Sequence, residues 1–405
     1  MATGSNTTTD LRRTTFVGYG AFLLLGWNGV IIPVLILSLQ QEFRLSNADF
    51  SVLYLIAPLS YAAGSFGGGM LSERFGRRPI LVGAAALLSV GVSAAVLTPT
   101  WTAFIVATLL WAAGAGALDG GMNGLFLAIY ARARGGALNR LHLFFSIGAL
   151  TAPLVVGRLL VAGVSWRTVL LGIAAAAATL GVLLAVHRLP LERCVAGAAG
   201  STSEVGGAER SLLPFVGLAV AICCYDAAVS GVGGWLVALL SESSLGVATS
   251  ALSLFWGGMA VGRLLSSWAA DRFAPTAFAV GGIALFSASI VGAVLAPNLW
   301  LSVALFGAAG LFSGPIHPMI LAVGGDLYPN RLSAFSGALG AAGILGSLTY
   351  APLVGFASSR VGLGAGILGA GLLGIPAAAA VLAATVVARR EGGETHRRPL
   401  SNRPQ

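Results

Sequence analysis

The stretch Leu118-Asp119-Gly120-Gly121-Met122-Asn123-Gly124 places an acid inside a long apolar run. Residues 102–118 carry no charge, and the run continues without a charge from residue 120 until Arg132. A run of this length is long enough to cross a bilayer as a helix. An unpaired carboxylate at the centre of such a helix costs about 2.5–3.5 kcal/mol. Asn123 follows Asp119 at i+4, so both side chains share one helix face. The stretch therefore predicts a membrane helix whose polar face meets a hydrated cavity or a partner.

The composition of the whole chain agrees with this prediction. The chain has 405 residues, of which 57% are hydrophobic and 9% are charged, and its mean hydropathy is +0.89. These values exclude a soluble domain and predict an all-α, polytopic membrane protein. The net charge of +9 comes from 23 arginines, almost all of them between apolar runs, where they set membrane orientation rather than bind nucleic acid. Three cysteines are too few for a disulfide framework.

Apolar runs of spanning length occur six times before a polar, Gly-rich break at His187–Ser211 and six times after it. The runs are 16–40, 50–71, 80–98, 102–130, 141–163, 168–186, 212–240, 247–270, 276–296, 299–325, 333–357 and 363–388. The sequence thus predicts twelve transmembrane helices. The predicted parts are a tail at 1–13, a six-helix bundle at 14–187, a linker at 188–211, a second bundle at 212–388 and a tail at 389–405.

The arginines predict the orientation of these helices. With the N-terminus inside, only Arg44, Arg167 and Arg360 fall in outer loops, and the loop and tail arginines otherwise lie inside. Because cytoplasmic loops are enriched in positive charge, both termini are predicted to be cytoplasmic. The absence of lysine indicates a GC-rich genome. We therefore expect a multi-pass protein of a bacterial inner, or plasma, membrane.

The two predicted bundles are related by an internal repeat. Gly64 and Glu73-Arg74-Phe75 match Gly262 and Asp271-Arg272-Phe273 at a constant offset of 198, which also carries the third span onto the ninth. Two six-helix halves in parallel repeat are the architecture of one class of secondary transporters.

The residues after the second span resemble a known family signature. Gly69-Met70-Leu71-Ser72-Glu73-Arg74-Phe75-Gly76-Arg77-Arg78 is similar to the loop that marks the major facilitator superfamily, with Glu73 in place of the usual aspartate. The resemblance implies a cytoplasmic gate that closes when the cavity opens outward. The residues assigned to it are Gly69, Glu73, Arg74, Gly76, Arg77, Arg78, Arg263, Asp271 and Arg272. The alternative is that these arginines only mark the cytoplasmic side.

Within the superfamily, several stretches resemble the fucose permease and related sugar–proton symporters. They are Gly26-Trp27-Asn28-Gly29, the Asp119 and Asn123 pair, residues 138–148, Tyr225-Asp226, Gly234-Trp235 and Gly314-Pro315-Ile316-His317-Pro318. One departure is that Gly29 stands where the fucose permease has a second acid. This position therefore cannot carry a coupling proton here.

The resemblance implies roles for the polar residues of spans one, four, seven and ten. Asp119 and Asp226 are the predicted proton-coupling residues, because a desolvated carboxyl group can take up a proton near neutral pH. The alternative is that each acid is a permanently satisfied packing group. The predicted substrate-binding residues are Asn28, Asn123, Tyr225, Trp235, His317 and Trp27. The two tryptophans also fit interfacial anchors.

A competing signal lies in the fifth span. Residues 148–157 partly resemble the glycine–proline motif of drug–proton antiporters, although Ala152 and Val156 replace two of its glycines. We expect a secondary active transporter, using alternating access and coupled to protons, that carries a small neutral polar solute such as a monosaccharide. The alternative is a proton-driven exporter of drugs or metabolites. The expected partners are the solute, protons and the lipid bilayer; we expect no enzyme activity, cofactor, metal site or nucleic-acid partner, and a monomer.

Overall fold

The computed structural model of the chain describes residues 3–130, 134–186, 212–269, 274–327 and 332–395. Within these residues the chain forms thirteen α-helices. They are α1 (Thr3–Phe43), α2 (Asn47–Phe75), α3 (Arg77–Val96), α4 (Trp101–Ile129), α5 (Arg134–Val161), α6 (Trp166–Val186), α7 (Leu213–Leu239), α8 (Leu245–Ala269), α9 (Pro275–Val294), α10 (Leu299–Ser313), α11 (Ile316–Leu327), α12 (Leu332–Leu372) and α13 (Gly374–Thr395). The predicted linker, 188–211, lies outside the described residues.

In the described part of the chain, eleven helical stretches are long and apolar enough to cross a membrane. Ten of them correspond to the first ten predicted spans. The predicted eleventh and twelfth spans instead form one stretch of 53 residues, Leu339–Glu391. A continuous helix of that length would measure about 80 Å, against about 30 Å of hydrocarbon. The stretch is not straight, because Gly362 inside it has φ 76° and ψ 158°.

Several helices extend beyond the predicted spans, among them α13, which continues to Thr395. The polar residues predicted as an N-terminal tail continue α1 from Thr3, and the apolar part of that helix begins at Leu11. The signature stretch predicted as a loop is helical up to Phe75, and only Gly76 separates α2 from α3. Gly76 has φ 87°, a backbone conformation that glycine adopts without steric cost. The α2 helix continues up to Phe75, and the turn to α3 forms at Gly76.

The chain folds into two compact units that do not coincide with the two halves of the sequence. The first unit contains α1–α6 together with Gly233–Gly257 and Ala351–Leu363. These added segments are the end of α7, the first half of α8 and the middle of α12. The second unit contains the start of α7, Gly258–Tyr350 and the residues from Gly364 onward.

In the first unit, α2 and α4 pack closely, and each helix contributes a glycine to the contact. A side chain at Gly64 would collide with the carbonyl of Ala113, and one at Gly116 would collide with the carbonyl of Tyr61. Small residues spaced in this way let two membrane helices approach backbone to backbone. The contact fixes Tyr61 of α2 near the middle of α4.

In the second unit, α8 and α10 pack in the same way. A side chain at Gly262 would collide with the carbonyl of Leu311, and one at Gly314 would lie within 2.5 Å of the carbonyl of Met259. Each of these four residues lies 198 positions after its counterpart in α2 or α4. The repeat therefore extends to α4 and α10 and includes the close helix contact.

Large apolar side chains are exposed on the outer faces of the helices, including Phe66 (73%), Leu97 (81%) and Trp300 (70%). Water would not favour so many exposed apolar groups, whereas lipid tails would. The exposed surface thus agrees with the predicted membrane location.

Candidate functional site

The polar groups of α4 form the first part of the site. α4 begins after Thr100, whose hydroxyl accepts a hydrogen bond from the Ala103 N–H. Further along this helix, Asn123 Nδ2 donates to Asp119 Oδ1 at 3.0 Å, as the i+4 spacing predicts. Both residues are half-buried. Asn123 Oδ1 is buried and has no hydrogen-bond partner among the described residues. The pair therefore retains one unsatisfied acceptor.

Tyr61 of α2 completes this group, and it was not among the predicted site residues. Its hydroxyl lies close enough to interact with the Asp119 carboxylate. The side chains that act on this carboxylate are Tyr61 and Asn123, and both are neutral. The glycine spacing that joins α2 to α4 was the available signal, since it brings Tyr61 beside α4. We call Asp119, Asn123 and Tyr61 the α4 acid group.

Asn28 lies in α1 and is held by a residue that the sequence did not single out. The indole N–H of Trp111, in α4, donates to Asn28 Oδ1. The Asn28 amide nitrogen then remains free to donate, since it has no acceptor within the described ranges. Beside it, Trp27 Nε1 donates to Thr151 Oγ1 at 3.0 Å, which fixes the orientation of that indole against α5.

Trp235 is enclosed rather than open. Its side chain has no exposed surface, and Nε1 donates to the Ala351 carbonyl at 2.7 Å. The ring packs edge-on against Tyr54 with centroids 5.3 Å apart, and the Tyr54 hydroxyl donates to the Gly234 carbonyl at 2.6 Å. In this structure Trp235 joins α7 to α12 and offers no face to a ligand.

Asp226, Tyr225 and His317 form the second polar group, in the second unit. Asp226 Oδ2 lies 3.7 Å from His317 Nδ1, and the two side chains are 23% and 32% exposed. Tyr225 is buried, and its hydroxyl donates to the Ser313 carbonyl at 2.9 Å. That carbonyl lies at the break between α10 and α11, directly before Gly314-Pro315. We call Asp226 and His317 the acid–imidazole pair.

The Asp226 carboxylate is accommodated by a glycine of α12. Any side chain at Gly343 would collide with Asp226 Oδ2. The Ser347 hydroxyl donates to the Asp226 backbone carbonyl at 3.3 Å. Because Gly343 has no side chain, the Asp226 carboxylate has the space that it occupies beside α12.

The two arginines predicted inside spans have different settings. Arg158 lies in the last turn of α5, where a positive charge is favourable at the helix end. Arg263 was predicted near the cytoplasmic gate. The structure places it beside the α10–α11 break, with its backbone against Gly314 and its charge acting on Tyr225.

The predicted gate residues are only partly described. Arg78 donates from Nε to the Leu184 carbonyl at 3.4 Å and from Nη2 to the Ala185 carbonyl, so it caps the end of α6. Arg74 is exposed and lies 5.4 Å from the centroid of the Phe75 ring. Of the remaining gate residues, Arg77 has a buried Nη1 without a partner in the described part of the chain, and Gly69 has open space beside its Cα. The side chain of Glu73 and all of Asp271 and Arg272 lie outside the described residues.

The predicted site residues therefore form two groups and two single positions. The α4 acid group and Asn28 belong to the first unit, and the acid–imidazole pair with Tyr225 belongs to the second. Trp27 and Trp235 belong to the first unit and are both held by hydrogen bonds through their indole nitrogens. Within the described residues, no group of three or more His, Cys, Asp or Glu could hold a metal ion.

Sequence comparison gives a family match and a curated relative that covers most of the chain. The family model of the Major Facilitator Superfamily matches residues 17–239 and 218–404. The gentisate transporter of Corynebacterium glutamicum is 26% identical over 391 residues, which covers 87% of this chain and 85% of that protein.

Structural comparison gives the same architecture. A crystal structure of a D-xylose–proton symporter has a TM-score of 0.74 at 18% identity and covers 93% of this chain and 97% of its own. An inward-facing, occupied bacterial homologue of the human lysosomal transporter Spinster has a TM-score of 0.72 at 15% identity, with 96% and 97% covered. At such low identity these likenesses show the fold alone. The family match spans nearly the whole chain, and the chain therefore belongs to the major facilitator superfamily of membrane transporters.

Proposed function

We propose that this chain is a proton-coupled symporter of a small polar solute, such as a monosaccharide, that works by alternating access. The observation that carries the proposal is the setting of Asp119. Its carboxylate faces the neutral side chains of Asn123 and Tyr61, and no positive group of the described residues acts on it. Protonation therefore changes the charge of the α4 acid group from −1 to 0 with no cation to compensate.

That change of charge can drive a conformational equilibrium. An ionised carboxylate in a membrane helix favours the conformation that hydrates it, while the neutral acid tolerates a drier one. A proton thus shifts the population between two conformations, as a ligand does when it binds one of them better. We assign the main coupling step to Asp119 and a second proton-sensitive position to Asp226.

The topology that the proposal requires has twelve crossings. The 53-residue stretch Leu339–Glu391 is long enough for two, and the backbone conformation of Gly362 supports a change of direction there. We propose two crossings in this stretch, with both termini cytoplasmic in a bacterial plasma membrane. The signature residues around Gly76 then form a cytoplasmic gate in a monomer.

For the solute, the proposed binding groups differ in how available they are. Asn123 keeps a free acceptor, Asn28 keeps a free donor, and His317 is partly exposed. Neutral amides that donate and accept are suited to hydroxyl groups. Tyr225 and Trp235 are buried and hydrogen-bonded here, so a direct role for them needs a conformation that frees them. Trp27 is half-buried and keeps part of its ring open.

The second candidate is a proton-driven exporter of a drug or metabolite. The glycine–proline run at 148–157 favours it, and so does the relative that is named a gentisate transporter. The two candidates differ in the direction of proton movement relative to the solute.

The test uses purified protein in liposomes that contain a pH-sensitive dye. Sugars, gentisate and cationic drugs are added outside, to the wild type, Asp119→Asn and the exposed control Glu242→Gln. We expect a sugar to acidify the lumen in the wild type and the control, and Asp119→Asn to abolish the signal. The Asn variant should still exchange labelled solute in the absence of a proton gradient, because only coupling is lost.

A solute that drives protons outward from the lumen would replace the symporter by the exporter. Full acidification by Asp119→Asn would show that Asp119 is not the coupling residue.

A further inference from the structure

We propose that Trp27, Asn28, Gly29, Phe145 and Trp256 form a binding site for one six-membered ring that carries oxygen acceptors at its edge. The proposal rests on the proposed transport function and names the class of its solute. We call these five residues the ring site. It lies entirely within the first unit, where α1, α5 and α8 meet.

The floor of the ring site consists of small buried side chains. Val30 of α1 and Ala149 and Ala152 of α5 are 0–1% exposed. Trp27, Phe145 and Trp256 pack against this floor and are each only partly buried. Three aromatic rings around a small-residue floor present apolar faces, on which the apolar face of a planar or nearly planar ring can lie.

Trp256 supplies the observation that points to a ligand. Its indole Nε1 is buried and has no hydrogen-bond acceptor among the described residues. A buried donor without an acceptor is costly, at about 1–3 kcal/mol. The other two indoles beside α1 have acceptors, since Trp27 donates to Thr151 and Trp111 donates to Asn28. Trp256 alone of the three lacks one, and an oxygen of the ligand would supply it.

The Asn28 amide, one residue after Trp27 in α1, is the second donor that we assign to the ring site. The Asn28 oxygen accepts a hydrogen bond from Trp111, so the Asn28 amide nitrogen is the group that remains available to a ligand. Two N–H donors and no charged group then recognise a ligand by its oxygen acceptors. Carbohydrate rings and hydroxylated aromatic rings share this chemistry.

Gly29 makes space for the ring. It is exposed, and a side chain there would meet only the Phe145 ring, 3.3 Å from Cζ. A methyl group at this position would therefore occupy the ring site without entering the protein core. Because alanine favours a helix more than glycine does, Gly29→Ala should leave stability unchanged or raise it.

Trp256 is held in place by close packing of α8 on α5. A side chain at Gly257 would lie 2.7 Å from Leu150 Cδ1, and one at Gly157 would collide with Thr249 Oγ1. These contacts fix the position of α8 along the axis of α5, and they thereby fix the position of the Trp256 ring.

The experiment measures binding to purified protein in nanodiscs by titration calorimetry at fixed pH. The probes are D-xylose, gentisate and xylitol, which has the hydroxyl groups of xylose without the ring. Wild type should bind at least one of the two ring compounds and bind xylitol at least tenfold more weakly. Trp256→Phe keeps an aromatic ring but removes the donor, and it should weaken ring binding about five- to tenfold. Gly29→Ala should weaken it at least tenfold with no loss of thermal stability, and the exposed control Trp300→Phe should behave as wild type.

The outcomes separate this site from the symport mechanism. Equal ring affinity in wild type, Trp256→Phe and Gly29→Ala overturns the ring site, as does a wild type that binds xylitol as well as xylose or binds neither ring compound. If those variants leave affinity unchanged but Asp119→Asn abolishes proton movement, symport stands without the ring site. If they weaken affinity while Asp119→Asn still moves protons, the ring site stands without Asp119 coupling.

Discussion

The two halves of the chain share their helix packing but not their polar chemistry. At the offset of 198, the α2–α4 contact and the α8–α10 contact use the same positions, with glycine against a backbone carbonyl in both. At the same offset, Asn28 corresponds to Asp226 and Asp119 corresponds to His317. An amide and an acid in the first half are thus replaced by an acid and an imidazole in the second.

This difference gives the two halves different responses to a proton. The Asp119 carboxylate has the neutral neighbours Tyr61 and Asn123, so protonation removes a charge that no described residue compensates. Asp226 has His317 at 3.7 Å, so its charge can be balanced within the pair. The repeat preserves the glycine contacts between helices, whereas the polar side chains at equivalent positions differ between the two halves. We infer that the first half carries the main coupling step, whereas the response of Asp226 in the second half depends on His317.

The largest expected effect tests the shared packing. Gly64→Ala and Gly262→Ala each place a methyl group against a backbone carbonyl of the adjacent helix. Overpacking of this kind costs about 1–3 kcal/mol, so we expect each variant to lower the free energy of unfolding by about 2 kcal/mol. Thermal unfolding in detergent measures the effect. The control Gly67→Ala has open space beside it and should match or slightly exceed the wild type.

A clear loss of stability in only one of the two variants would contradict the equivalence of the contacts. The halves would then share a sequence pattern without sharing its structural role.

The next effect tests the difference between the halves. Asp226→Asn and His317→Gln each leave the other member of the acid–imidazole pair without its partner. Because both side chains are partly exposed, solvent limits the penalty, and we expect solute uptake to fall about tenfold in each single variant. The double variant should lose about as much uptake as either single variant, rather than the product of the two losses, because the two residues act as one pair. Uptake of radiolabelled solute into liposomes, corrected for the amount of folded protein, measures this.

Losses that multiply in the double variant would show that the two residues act separately. The pair would then not explain the difference between the halves.

The first ten membrane helices could be predicted from the sequence, because the length of an apolar run is a local property. The Asp119–Asn123 contact followed from the i+4 spacing alone. The roles of Tyr61, Trp111 and Trp256 could not be predicted in this way. Each is an aromatic residue in an apolar span, and its importance depends on which helix lies beside it. The burial of Trp235 could not be predicted from the sequence either, because it depends on the packing of α12 against α7.

The smallest expected effect concerns Tyr61, whose counterpart in the second half is Met259. The Tyr61 hydroxyl interacts with the Asp119 carboxylate, whereas a methionine has no hydroxyl to offer. Tyr61→Phe keeps the ring and the helix contact but removes this partner, and Tyr61→Met copies the second half. The hydroxyl can bond the Asp119 carboxyl group in both protonation states, so only the difference between the two hydrogen bonds, about 1 kcal/mol, affects coupling, and we expect proton-driven uptake to fall about threefold to fivefold in both variants.

Exchange of labelled solute without a proton gradient should stay at the wild-type rate in both Tyr61 variants, because the hydroxyl acts on the proton-carrying acid and not on the solute. The sharper comparison is between the two readouts. If exchange falls as much as driven uptake, Tyr61 contributes to solute binding or to the α2–α4 contact. If only driven uptake falls, the hydroxyl serves Asp119, and the first half differs from the second through its acid and the neighbour that orients it.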